Sequence, residues 1–182
     1  AAAGGFTTLV CMANTSPVHD NPAVTRLIFK RITETAKVHV YPVGAVTKDL
    51  KGEGLADLEG MAKAGVVAFS DDGNTVMDSA LLEKAMRIAK KLGKPILSHA
   101  EDLTLTTPGS MNEGIVSTEL GLEGSPNLAE ERMVARDIEL CKKTGARLHI
   151  QHISTAGALK LVAAARRKGL PVTCELMPHH FS

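Results

Sequence analysis

The feature that most constrains the fold of this chain is a regular alternation of short β-branched runs with amphipathic stretches. Strands are predicted at residues 7–14, 38–46, 66–72, 94–100, 146–154 and 170–177. Helices are predicted at residues 21–37, 55–64, 78–92, 128–144 and 156–168, with a short one around 117–122 inside the polar segment 101–125. Because strands joined by helical crossovers pair in parallel, the sequence predicts one α/β domain.

Two parallel architectures compete, an open doubly wound sheet and a closed barrel. No Gly-rich phosphate motif follows the first predicted strand, which disfavours the dinucleotide-binding version of the open sheet. The sequence therefore favours a TIM-type (β/α)8 barrel. Six strands do not close an eight-stranded barrel. We therefore interpret residues 1–182 as one partial barrel domain, and we expect a barrel strand to be missing at each end.

Charge and composition disfavour several classes of function. The 21 basic and 20 acidic residues give a net charge of +1, which offers no electrostatic basis for binding nucleic acid or an anionic membrane. All apolar runs are shorter than the roughly 20 residues that a membrane span needs. Cys11, Cys141 and Cys174 are odd in number and lack CxxC spacing, as expected for reduced thiols of a cytoplasmic protein.

The third predicted strand ends in two carboxylates. In a parallel barrel the reactive residues lie at the carboxyl ends of the strands. Side chains alternate along a strand, so Asp72 shares the inner face with Ser70, whereas Asp71 points the other way. The alternative is that the two aspartates only cap a turn with Gly73. The spacing alone leaves both interpretations open.

Histidines end the next two predicted strands, at His99 and His152. We predict that Leu148, Ile150 and His152 share the inner face, which leaves His149 toward the helices. A single His at a strand end is more often a hydrogen-bonding group than a ligand. Here Asp, His and His end three consecutive strands and are predicted to meet. Two imidazoles and a carboxylate are a suitable donor set for Zn²⁺, with an open position for water.

Polar residues at two further strand ends could shape the same site. Asn14 ends the first predicted strand and offers a donor and an acceptor to a polar substrate, although Asn at such a position also commonly starts a turn. His179 and His180 follow the last predicted strand. We expect these two histidines either to support the metal ligands from outside or to shape the rim of the site, and not to bind the metal directly.

Several blocks of this sequence resemble the bacterial class I dihydroorotases of the amidohydrolase superfamily. The blocks read GGFTT leading into MANT, AFSDDG, SHAE, AEE leading into RDI, HIQHIST and TCELMPHH. They follow the family's order and spacing over essentially the whole chain, as the central portion of such an enzyme. One departure is Ala13, which stands where the family usually has Pro.

The resemblance implies a zinc-dependent cyclic amide hydrolase. Such an enzyme interconverts N-carbamoyl-L-aspartate and dihydroorotate in de novo pyrimidine biosynthesis, with an activated water attacking the ring amide in the hydrolytic direction. Carried over to this sequence, Asp72 would be a metal ligand that can bridge two zinc ions, His99 and His152 would be ligands of the second ion, and Asn14 would bind the carboxylate side of the substrate. The resemblance also implies a homo-oligomer and, in some members, aspartate transcarbamoylase as a partner.

Two absences refine this interpretation. Dihydropyrimidinases, allantoinases and many other dihydroorotases bridge their metals with a carboxylated Lys on the third strand. This chain has no Lys there, which favours the class I bacterial dihydroorotases over a hydantoinase-like enzyme. The family's His-x-His pair and substrate-binding Arg are expected before residue 1, and its general acid/base Asp beyond residue 182. This chain alone is therefore expected to be inactive. The alternatives are a non-catalytic homologue that serves as a structural partner of aspartate transcarbamoylase, and another cyclic amidohydrolase of the allantoinase or hydantoinase kind.

Overall fold

The computed structural model describes residues 1–107, 109 and 111–180. Its strands are β1 (Thr8–Cys11), β2 (His39–Pro42), β3 (Ile96–Ser98), β4 (Met111–Asn112), β5 (Gly124–Ser125), β6 (Leu148–Ile150) and β7 (Val172–Cys174). Its α-helices are α1 (Pro22–Thr35), α2 (Leu58–Ala64), α3 (Ser79–Lys91), α4 (Ile115–Glu119), α5 (Asn127–Thr144) and α6 (Ala156–Arg167). Within these described ranges, no helix is both long and apolar enough to cross a bilayer.

The main sheet is parallel and follows the predicted strand order. β1 pairs with β2, and β6 lies between β3 and β7. Phe69 joins the two parts through parallel bridges to Gly44 and Ile96. The predicted third strand, residues 66–72, is thus reduced to these bridges, although its backbone still bonds to both neighbours. The prediction of an α/β chain with a parallel sheet is confirmed.

Capping residues explain where the helices begin and end. The side chains of Asn21 and Asp78 accept hydrogen bonds from first-turn N–H groups of α1 and α3, which have no partner inside the helix. Gly65 and Gly145 end α2 and α5 with φ values of 111° and 67°, a left-handed conformation that only glycine adopts at little cost. Both glycines lie at the predicted helix ends.

The hydrophobic core lies between the helices and one face of the sheet. Ile96, Leu148 and Ile150 are at most 1% exposed there and pack in one cluster with residues of α3, α5 and α6. Burying one such side chain stabilises the fold by about 1.5–3 kcal/mol. Paired residues of neighbouring parallel strands lie on one face, and Ser98 is paired with Ile150. Ser98 donates a hydrogen bond to Asp137 of α5, so this face is the one toward the helices.

The predicted face assignment for β6 is wrong. Leu148 and Ile150 face the helices, and the two-residue period then puts His149 on the opposite face. There, His149 Nδ1 lies 2.8 Å from the Thr173 hydroxyl. His152 therefore does not reach the site by sharing a face with Leu148 and Ile150. The apolar side chains of β6 are drawn to the helical layer, and a local change in the backbone redirects the chain beyond the strand.

The face of the sheet opposite the helices borders a groove of about 760 Å³. Val10, Val67 and Leu97 contribute to its apolar lining. Among the described residues, β1 and β7 are each paired on one side only in this sheet. The arc of parallel strands is therefore open.

The polar segment after β3 contains the pair β4–β5 and the short helix α4. The helix predicted around 117–122 is found at Ile115–Glu119. It begins earlier because the Ser117 hydroxyl accepts a hydrogen bond from the N–H of Gly114, 2.9 Å away, and so caps the first turn. Residues 108 and 110 of the predicted polar segment lie outside the described residues.

Candidate metal centre

Asp72, His99 and His152, hereafter the triad, converge at the carboxyl edge of the sheet. Asp72 follows the Phe69 bridges, His99 follows β3 and His152 follows β6. His99 Nδ1 lies 2.9 Å from His152 Nε2 and 3.8 Å from Asp72 Oδ1. His152 Nε2 lies 3.4 Å from Asp72 Oδ1. Three residues that are up to 80 positions apart in the chain thus present donor atoms to one point.

The donor spacing of the triad fits a tetrahedral metal ion. Zn²⁺ binds nitrogen and oxygen donors at about 2.0–2.2 Å, which at tetrahedral angles separates neighbouring donors by about 3.3–3.5 Å. The observed separations of 2.9, 3.4 and 3.8 Å lie on both sides of that value. The three side chains are 20–27% exposed, which leaves a path for an ion and a further ligand.

The contact between Asp72 and His152 favours the ionised form of each of these two residues. A hydrogen bond from His152, together with the nearby imidazoles, lowers the pKa of Asp72. The same contact with Asp72 raises the pKa of His152, against the opposing effect of burial. A carboxylate that stays ionised is the form that binds a cation. The proton competes with the metal ion for His152, because it must leave before the ring nitrogen can bind a metal.

Each histidine of the triad is oriented by a specific local feature. His99 Nε2 lies 3.1 Å from the Glu101 carboxylate, which fixes the ring and leaves Nδ1 directed at the other two residues. His152 has a φ of 35°, in the left-handed region where a non-glycine residue is uncommon. This conformation redirects the chain just after β6 and explains how His152 meets His99 although the predicted face assignment fails.

The predicted substrate-binding residue, Asn14, lies beside the triad. A Cβ placed on Gly73 would be 3.9 Å from Asn14 Nδ2, so the amide borders the turn that follows Asp72. Asn14 is exposed. Its amide is therefore available to a polar group bound at the carboxyl edge.

A cleft of about 380 Å³ opens next to the triad. His99 and His152 form part of its wall, and His179 and His180 line it as well, in agreement with their predicted place at the rim. Segments after β3, before α5 and after β6 complete the lining, with Glu101, Asn112, Glu130 and Ser154 among the polar residues.

Sequence reasoning missed Glu101 and Glu130 as parts of this site. Glu101 could have been found, because it lies two positions after His99 and a strand-like continuation puts both on one face. Glu130 could not, because it belongs to α5 and approaches the segment after His152 only through helix packing.

The buried neighbour of Asp72 has a structural role. Asp71 accepts hydrogen bonds from the backbone N–H groups of Val46 and Thr47 at 2.7 and 3.0 Å, and from the Thr47 hydroxyl. Burial raises the pKa of Asp71 despite these hydrogen bonds. The two adjacent aspartates thus point to opposite faces, as the alternation predicts.

Comparison with known proteins assigns the chain to a family. The family model described as Dihydro-orotase-like matches residues 1–158. The chain belongs to the dihydroorotase-like family. Curated relatives named dihydroorotase, from Syntrophus aciditrophicus and Pelotomaculum thermopropionicum, are 51% and 52% identical over all 182 residues. The chain spans 43% and 42% of the length of these two relatives.

Solved structures with the same fold are hydantoinases. The L-hydantoinase (dihydropyrimidinase) from Arthrobacter aurescens matches 97% of the chain with a TM-score of 0.78 and 23% identity, over 41% of its own length. A D-hydantoinase (dihydropyrimidinase) from Thermus sp. matches 99% of the chain with a TM-score of 0.73 and 21% identity, over 41% of its own length. At this level of identity, the likeness shows only that the chain and these hydantoinases share a fold.

Proposed function

We propose that this chain is the central part of a dihydroorotase, which reversibly cyclises N-carbamoyl-L-aspartate to dihydroorotate, and that the triad binds zinc, as one or two ions. The observation that carries the proposal is the convergence of one carboxylate and two imidazole donors within 4.8 Å of one another. The names of the curated relatives support the choice of substrate. We extend the proposal to a cytoplasmic homo-oligomer.

We infer that the full natural polypeptide closes a (β/α)8 barrel around this site. The apolar groove on the open face of the sheet and the one-sided pairing of β1 and β7 support this inference, because additional strands would cover both. The relatives are more than twice as long as the matched region, which leaves ample chain for those strands.

Each residue of the site has a distinct part in this proposal. Zinc, when bound, lowers the pKa of a water ligand and polarises an amide carbonyl. Asp72 would hold it through Oδ1, His99 through Nδ1 and His152 through Nε2. Glu101 would keep the His99 ring in place, and Asn14 would bind the carboxylate side of the substrate. We assign proton transfer to no residue of this chain, so the chain alone should show no turnover.

The test compares ring opening of dihydroorotate, a hydantoin and allantoin by the full natural polypeptide, with zinc content measured on the same sample. We expect turnover of dihydroorotate and zinc at the triad. Asp72→Ala, His99→Ala and His152→Ala should each lower zinc affinity by more than about 100-fold, since losing a ligand should exceed the effect of losing an outer partner. His39→Ala, which removes an exposed histidine at the start of β2, is the matched control.

The other outcomes separate the alternatives. Preference for hydantoin or allantoin would overturn the choice of substrate in favour of another cyclic amidohydrolase. Turnover of none of the three substrates would overturn the enzymatic proposal and favour a structural partner of aspartate transcarbamoylase. Zinc affinity unchanged in all three triad variants would overturn the metal site itself.

A further inference from the structure

Glu130 makes an unusually complete set of contacts with the segment that follows His152. One carboxylate oxygen accepts hydrogen bonds from the N–H and hydroxyl of Ser154, at 2.8 and 3.1 Å. The other oxygen accepts from the N–H of Thr155, at 2.8 Å, and from its hydroxyl. Four donors on two consecutive residues therefore meet one side chain. This carboxylate is not one of the proposed metal ligands.

The surroundings of Glu130 stabilise its negative charge where it lies. The residue is in the first turn of α5, and Thr155 is the N-cap of α6. The carboxylate is thus near the N-termini of two helices, where unpaired N–H groups and the helix dipole favour an anion. Helix α5 is thereby connected to the loop that carries His152.

The same loop is anchored at further points. The N–H of Ile153 donates to the carbonyl of Glu175, at 2.9 Å. Asn112 Nδ2 donates to the carbonyl and hydroxyl oxygens of Ser154, at 3.0 and 3.1 Å. On the other side, the N–H of Gln151 donates to the carbonyl of Ser98. His152 is therefore held between fixed neighbours on both sides.

A left-handed residue needs such support. The φ of 35° at His152 is unfavourable for a side chain with a Cβ, and it persists only where the neighbouring chain leaves no alternative. Among the contacts that hold the segment after His152, those with Glu130 are the most numerous. If this segment relaxed, the imidazole would turn away from Asp72 and His99, because their alignment depends on that backbone conformation.

We propose that Glu130 is a positioning residue that holds His152 in its left-handed conformation and so keeps the triad assembled. This inference rests on the proposed function, because its measurable consequence is metal affinity. Glu130 itself is no ligand, and its four hydrogen bonds are directed to the loop. If Glu130 only capped α6, its substitution would lower the free energy of unfolding but leave the zinc affinity of the folded protein unchanged.

The experiment measures zinc affinity by competition with a chelating indicator, and the visible absorption of the Co²⁺ form, in the full natural polypeptide. Glu130→Gln preserves the shape but replaces one acceptor oxygen with a donor that faces N–H and hydroxyl groups. We expect zinc affinity to fall by about tenfold or more, the size of effect seen when an outer partner of a ligand is lost. The Co²⁺ absorption should change in shape because His152 is displaced.

Two further variants make the comparison decisive. Glu139→Gln alters an exposed glutamate on the same helix, whose ion-pair partner is Lys142 at 3.6 Å, and it should bind zinc as the wild type does. Ser154→Ala removes the contacts of the hydroxyl with Glu130 and Asn112 while it retains the backbone bonds, and it should weaken zinc binding less than Glu130→Gln does. If Glu130→Gln does not fold, the zinc affinity of Ser154→Ala still tests the positioning role.

The failures of the two proposals differ. Zinc affinity that is lost in His152→Ala but unchanged in Glu130→Gln overturns the positioning role and leaves the metal site standing. If Glu130→Gln does not fold, unchanged affinity in Ser154→Ala has the same meaning. If the wild type binds no zinc, or if His152→Ala binds zinc as tightly as the wild type does, the metal site and the positioning role are overturned together.

Discussion

Neighbouring residues of the same strands differ sharply across the two faces of this sheet. Ser98 is bonded to Asp137 of α5 and Asp71 to the buried backbone that follows β2, whereas Asp72 and His99 point to the carboxyl edge. The buried polar cluster on the helical side consists of Ser98, Arg136 and Asp137, of which Asp137 is fully buried. The open cluster is the triad. One residue along the chain separates the two environments in both cases.

The two clusters differ in how their carboxylates are satisfied. Asp137 accepts hydrogen bonds from the Ser98 hydroxyl and from Arg136 Nε, the latter at 2.8 Å, and Arg136 also donates to the carbonyl of Val76. Burial raises the pKa of Asp137. In the triad, contact with His152 lowers the pKa of Asp72, which is partly exposed.

In this protein the surroundings of a carboxylate, and not only its own chemistry, therefore determine its function. A buried carboxylate with neutral and cationic donors on all sides has no capacity left for a ligand, and it contributes to stability. A carboxylate beside two imidazoles, open to a cleft, retains that capacity. Effects on stability and on metal binding should therefore separate between the two faces.

The largest expected effect is on stability, from Asp137→Ala. The change leaves the Arg136 guanidinium, which is only 16% exposed, without its carboxylate, and the loss of one partner of such a pair typically costs about 3–5 kcal/mol in the free energy of unfolding. Asp72→Ala removes a partly exposed contact and should change that free energy by no more than about 1 kcal/mol when no metal is present. Urea unfolding of both variants in the presence of a chelator measures the two changes in the free energy of unfolding.

The same pair of variants should behave in the opposite way toward zinc. Folded Asp137→Ala should bind it as the wild type does, whereas Asp72→Ala should not. If Asp137→Ala also lost zinc affinity under conditions where it is fully folded, the two faces would be coupled through β3 and the proposed separation would be wrong.

A smaller effect is expected for Glu101→Gln, within the open cluster. The amide can still hydrogen bond to His99 but no longer carries the charge that favours the required ring orientation. We expect zinc affinity about tenfold lower and little change in stability. Competition titration measures the first and urea unfolding the second. Glu113→Gln, an exposed glutamate in the same polar segment, serves as the control. If Glu101→Gln lowered the free energy of unfolding as much as it lowered the free energy of zinc binding, Glu101 would support the loop and not the orientation of His99.

Period-two alternation determined how much of this arrangement the sequence could predict. For Asp72 and His99 the alternation holds to the strand end, so the inner face could be assigned correctly. For His152 it fails, because a left-handed residue lies beyond β6 and side-chain alternation carries no signal for such a residue. The strand order could be predicted because each crossover is local. The contacts of Glu130 could not, since they depend on how α5 and α6 pack.

The last expected effect is a pH dependence that arises in the buried cluster. Because burial raises the pKa of Asp137 above its ordinary value of 3.8, the native state binds more protons than the unfolded state just above that pH. The contribution of this carboxyl group to stability is therefore fully present below about pH 4 and is lost as pH rises through its folded-state pKa, with a slope of at most about 1.4 kcal/mol per pH unit.

Asp137→Asn cannot titrate, so the stability of the wild type relative to this variant isolates the effect. Urea unfolding in a chelator at intervals between pH 4 and 7 should show that this relative stability declines as pH rises. Unfolding in a chelator removes any contribution of bound metal from the triad. A relative stability that grows with pH would mean that the ion pair with Arg136 outweighs burial. Asp137 would then resemble Asp72 electrostatically, and only the lack of an open cleft would distinguish the two faces.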